Sequence, residues 1–81
     1  MAKGRSLISP AFGQAVRELR IKAGLSQERL GELSGLHRTY IGDVERGLKS
    51  PSLKAVEALA RALGRKPHEL IVRAEQLSGW R

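Results

Sequence analysis

Residues 31–47 read GELSGLHRTYIGDVERG, a stretch with four glycines that still divides into two runs of helix. A glycine inside a helix costs roughly 1 kcal/mol relative to alanine, so Gly31 and Gly42 need a reason to be there. Ser26 is placed to cap a short helix over Gln27–Ser34, Gly35 ends it, and a further helix runs from about His37 to Arg46 and closes at Gly47. Two helices joined by a tight turn and crossed at about 90–120° bring their backbones together at one point on the first helix. Gly31 sits at that point, where a side chain larger than Ala would push the helices apart. Gly35 supplies the positive φ that the turn needs. Leu36, Ile41 and Val44 fill the angle behind the turn. This spacing suits a helix-turn-helix; an ordinary αα-hairpin is the plainer alternative. Gly42 falls on the outward face, where it would allow close approach to a ligand backbone.

The flanking sequence extends the helical pattern. Ser9-Pro10 forms a helix start, with Ser9 as N-cap, and Phe12, Val16, Leu19 and Ala23 follow at helical spacing up to Gly24. Leu48 prolongs the buried side of the third helix just past its end. After the loop LKSPS, Ser52 caps a fourth helix whose inner stripe is Leu53, Val56, Leu59, Ala60 and Leu63, and Gly64 stops it. Pro67 opens a fifth, with Leu70, Ile71, Ala74 and Leu77 facing inward. No segment alternates apolar and polar residues as a strand would. The expected fold is all-α, a compact bundle of five short helices. Residues 1–8 read as a flexible arm, 9–78 as one domain and 79–81 as a C-terminal end.

The chain has 81 residues, enough for one small domain, and no cysteine that could supply a disulfide or a thiolate metal site. Lys and Arg outnumber Asp and Glu by 15 to 8, a net charge of +7 that suits a polyanion such as nucleic acid, or else a well-solvated basic surface. The excess is spread along the chain and not gathered in a tail. No apolar run approaches a membrane span, and the start lacks the apolar segment of a secretory signal, so the expected location is cytoplasmic. An enzyme is not expected, because the sequence has no Cys, no His–carboxylate cluster and no phosphate-cradling glycine loop. For the same reason no metal, cofactor or small-molecule ligand is expected; His37 and His68 lie far apart in sequence. With one each of Tyr, Phe and Trp there is no aromatic platform for RNA bases, and the fifth helix carries too few charges for a membrane-surface role.

At larger scale, LRIKAGLSQERLGELSGLHRTYIGDVERGLKSPSLKAVEALARAL resembles the lambda-repressor/Cro-type helix-turn-helix domain, the Xre family, over roughly residues 12–72. Within that family GLHRTYIGDVERG is most similar to the controller proteins of bacterial restriction–modification systems. The resemblance implies a small dimeric transcription factor that binds a palindromic operator and regulates its own gene and that of the endonuclease. RNA polymerase becomes a partner where the bound protein activates. The alternative is an antitoxin-like module that binds both DNA and a protein.

In helix-turn-helix proteins the second helix lies in the major groove with its N-terminal residues on base edges. Arg38 is the first candidate for base reading, since a guanidinium bonds both O6 and N7 of guanine; Thr39 suits a thymine methyl or a phosphate. Asp43 suits cytosine N4, or a surface ion pair with Arg46 three residues on. Tyr40 suits a phosphate or sugar through its hydroxyl, or packing at the core edge. Candidates for the DNA backbone are His37, Arg46, Lys49 and Ser50. Gln27 joins them by resemblance to the family, and a helix N-terminus attracts phosphate in any case. Arg20 and Glu45 match a family ion pair that sets the tilt of the reading helix. The fifth helix has more apolar surface than one face can bury, which points to Ile71 and Val72 as a homodimer interface; a helix simply buried in the monomer core is the plainer alternative. Two reading helices would then stand about 34–36 Å apart, one turn of DNA.

Overall fold

The chain folds into five helices: α1 (Ile8–Lys22), α2 (Gln27–Ser34), α3 (Arg38–Glu45), α4 (Leu53–Ala62) and α5 (Pro67–Ser78). The computed structural model describes residues 6–80, and among them there is no strand. The all-α, five-helix expectation is met. The expected flexible arm lies mostly outside the described residues, and so does Arg81. Local chemistry sets most boundaries. The Ser26 hydroxyl accepts from Arg29 N at 2.9 Å and the Ser52 hydroxyl from Ala55 N at 3.1 Å, each satisfying an orphan amide of a first turn. Gly35 takes the left-handed conformation, with φ of 76°, that the turn between α2 and α3 requires.

The N-terminus of α1 departs from the sequence reading. The helix starts at Ile8 with Leu7 as N-cap, and the Ser6 hydroxyl just ahead of it accepts from Ser9 N at 3.0 Å. Pro10 is then the third helical residue, where its missing N–H falls among the four amides that have no intrahelical partner anyway.

The core draws buried side chains from all five helices. Leu30, Ile41, Val44, Leu59, Leu70 and Val16 are fully buried there, and Phe12 is nearly so. Full burial of a Leu or Ile side chain contributes on the order of 2–3 kcal/mol. Ile71, Leu77, Leu19 and Leu63 pack against this cluster from its edge. Two leucines assigned to it do not join: Leu48 is 67% and Leu53 87% exposed. Gly47 turns the chain in the left-handed region, so Leu48 leaves the register of α3. Leu53 is the first residue of α4, ahead of the turns that meet the core, and Ala55 takes the inward place. Ala23, just beyond α1, is likewise exposed.

Two glycines sit at helix crossings. A Cβ on Gly31 would stand 2.6 Å from the Leu36 carbonyl oxygen, so even Ala is too large there. A Cβ on Gly13 would stand 1.9 Å from the Val44 carbonyl oxygen, which makes the seam between α1 and α3 the closest approach at any of these glycines.

Candidate nucleic-acid interface

The α2–turn–α3 unit is held from inside and open outside. Ile41 and Val44 bury one side of α3 completely. Gly35 N and Leu36 N both donate to the Gly31 carbonyl, at 2.8 and 3.1 Å, and close the turn. His37 is the N-cap of α3: its Nδ1 accepts from Thr39 N at 3.0 Å. With Nδ1 accepting, Nε2 is the ring nitrogen left to donate, and the His37 side chain is exposed. Arg38 and Thr39 follow at once in the exposed first turn of α3.

Beneath this surface lies a buried polar knot. Arg20 Nε and Nη2 grip Glu45 Oε2 and Oε1 at 2.7 and 3.1 Å, and Arg20 Nη1 donates to the Leu25 carbonyl at 2.9 Å. The side chains of Arg20 and Glu45 are only 12% and 3% exposed. Gln27 Nε2 donates to the same Glu45 Oε1 at 3.0 Å, so α1, α2 and α3 are tied at one carboxylate. Gly42 is buried against this knot and not outward. A Cβ there would lie 3.4 Å from both the Gln27 Oε1 and the Arg46 Nη1 atoms, so the neighbouring helix covers the face assigned to solvent.

At the other end of α3, Asp43 Oδ1 accepts from Arg46 Nη2 at 2.8 Å, and Lys49 Nζ lies 3.9 Å from Asp43 Oδ2. Of the two roles set out for Asp43, the ion pair is formed in the free chain. Tyr40 packs at the core edge, with the Lys49 ammonium 5.9 Å from its ring centroid. The Ser50 hydroxyl meets that of Ser9 at 2.8 Å, which docks the loop after α3 onto the start of α1. Arg38, Thr39, Arg46 and Lys49 are all exposed. On α5, Val72 is exposed and Ile71 half-buried.

Three features escaped the sequence reading. Glu28 of α2 lies across the turn from Arg38, with Oε2 and Nη1 3.9 Å apart. Gly13 marks the α1–α3 crossing, and the cost rule that singled out Gly31 would have found it. Arg73 grips Glu18 between α5 and α1, Nε to Oε1 at 2.9 Å and Nη2 to Oε2 at 3.3 Å. The hydrogen bond from Arg73 holds the Glu18 carboxyl below its ordinary pKa and raises that of Arg73. A bond from the Lys66 backbone N–H, at 2.7 Å, likewise lowers Glu69 at the start of α5. No group of His, Cys, Asp and Glu that could hold a metal ion occurs among the described residues, and no helix there is long and apolar enough to cross a membrane.

The chain is 48% identical over 61 residues to the Control protein C.BamHI of Bacillus amyloliquefaciens, a match covering 74% of this chain and 75% of that protein. It is 44% identical over 66 residues to the Control protein C.SmaI of Serratia marcescens, covering 82% and 79%. Among solved structures it is similar to the restriction-modification controller protein C.AhdI from Aeromonas hydrophila, with a TM-score of 0.74 and 54% identity over 75% of this chain and 92% of that one. A helix-turn-helix family model matches residues 16–70, which takes in the capped turn, the buried knot and the α2–α3 crossing at Gly31. The chain belongs to the helix-turn-helix family.

Proposed function

We propose that this protein is a DNA-binding transcriptional regulator of the restriction–modification controller kind, which binds a two-fold symmetric operator as a homodimer with α3 in the major groove. The observation that carries the reading is the first turn of α3. There Arg38 and Thr39 project from a helix that the turn, the Gly31 contact and the Glu45 knot hold at a fixed tilt. A guanidinium so presented suits the O6 and N7 acceptors of guanine. Thr39 reads beside it, while His37 Nε2, Gln27, the Tyr40 hydroxyl, Arg46, Lys49 and Ser50 take phosphate and sugar contacts that set register without specifying sequence. The relatives named as control proteins support the regulatory role. Ile71 and Val72 on α5 meet a symmetry-related copy, the protein works in the cytoplasm, and RNA polymerase is the further partner at a promoter it activates.

Selection of bound duplexes from a random pool tests this, with wild type and Arg38→Ala in parallel. The expected outcome is a two-fold symmetric sequence for wild type, with one base position in each half lost in the variant. Enrichment of nothing, with binding still tight and salt-sensitive, would leave only non-specific charge and defeat the operator reading.

A further inference from the structure

We infer that Glu28 and Asp43 serve as built-in counterions for the cations of the α3 face, holding down non-specific affinity for DNA so that discrimination rests on base contacts. The inference deepens the DNA-binding reading above and rests on it. The two carboxylates stand at opposite ends of α3. At its start, Glu28 Oε2 lies 3.9 Å from Arg38 Nη1, and both side chains are about two-thirds exposed (67% and 64%). At its end, Asp43 binds Arg46 at 2.8 Å and faces Lys49 at 3.9 Å. All three cations named for DNA thus have an acidic partner in the free chain. The cations of these pairs are exposed, and such pairs add little to stability, so their consequence lies elsewhere.

That consequence follows from ion counting. A cation that neutralises a phosphate releases a counterion condensed on the DNA, and this release drives essentially all non-specific binding. A cation already paired must first leave its carboxylate, which then gathers a cation from solution. The net release falls by about one ion per carboxylate, and non-specific affinity falls with it. Base-edge hydrogen bonds offset the loss at an operator but not at a random sequence. Glu28 is therefore a positioning and specificity-determining residue that acts through Arg38, and Asp43 one that acts through Arg46 and Lys49.

The experiment measures the affinity of wild type, Glu28→Gln and Asp43→Asn for a duplex of unrelated sequence between about 50 and 200 mM salt, the range over which such contacts respond strongly. Each variant should bind the unrelated duplex more tightly at low salt, with a salt slope steeper by about one. That is roughly a three- to fourfold larger loss of affinity across the range. The Glu28→Gln effect should vanish in an Arg38→Gln background, and that of Asp43→Asn in an Arg46→Gln, Lys49→Gln background. Slopes equal to wild type overturn the inference. So does an effect that persists in those backgrounds, which would mark simple repulsion of phosphate by the carboxylate. A wild type that binds no duplex at any salt would overturn the DNA-binding reading itself, an outcome visible before any variant is compared.

Discussion

Two ion pairs start from neighbouring positions on α1 and meet opposite fates. Arg20 reaches α3 and grips Glu45; Glu18, two residues earlier, is gripped by Arg73 of α5. Both are forked contacts with two nitrogen–oxygen bonds. The first is nearly dry, at 12% and 3% exposure, and shares its carboxylate with Gln27. The second stands half open, at 43% and 41%. A buried pair broken on one side strands a charge without water, whereas an exposed pair is replaced by hydration at little cost. The same chemistry therefore fixes the orientation of α3 in one place and merely decorates the α1–α5 seam in the other.

Arg20→Ala should show the largest effect, a loss of about 3–5 kcal/mol in urea unfolding, because Glu45 would stay buried with only Gln27 as partner. A loss below about 1 kcal/mol would erase the contrast between the pairs. Gly13→Ala attacks the same α1–α3 seam by sterics, since its methyl would overlap the Val44 carbonyl oxygen. It should cost about 3 kcal/mol, the upper end for overpacking, as read from the shift in the thermal midpoint. Arg73→Ala should cost the least of the three in the same unfolding assay, because water replaces the exposed pair.

The smallest effect is a pH dependence. Glu18 has its pKa lowered in the folded chain, so its contribution is present above the ordinary carboxylate value and is lost as pH falls through the lowered one. Stability curves taken from about pH 5 downward should therefore flatten slightly in Arg73→Ala relative to wild type. A steeper acid limb in that variant would contradict the assignment.

What was legible in the sequence was local. Ser26, Ser52 and Gly35 act within three residues of themselves, so their capping and turning roles followed from residue type and spacing. Arg20 and Glu45 are 25 residues apart, and only the family resemblance joined them. Nothing in the spacing joined Glu18 to Arg73 or Glu28 to Arg38, because those contacts depend on how the helices cross. Leu48 and Leu53 stand at helix margins, one past the end of α3 and the other at the first residue of α4, where apolar periodicity no longer reports which side meets the core. Gly42 shows the limit of a single-helix view. Helical periodicity alone turns its angle on α3 outward, but Gln27 of another helix covers that angle.

The two helices of the motif have eight residues each. Helices shorter than about 12–15 residues are marginal in water by themselves, so neither can persist apart from the bundle. Reading DNA and staying folded are then one equilibrium seen from two ends. A ligand held by α3 must stabilise the whole chain, by about 2.7 kcal/mol at one hundred times its dissociation constant. By the same linkage, a core mutation far from α3 weakens apparent binding once the unfolded fraction becomes appreciable.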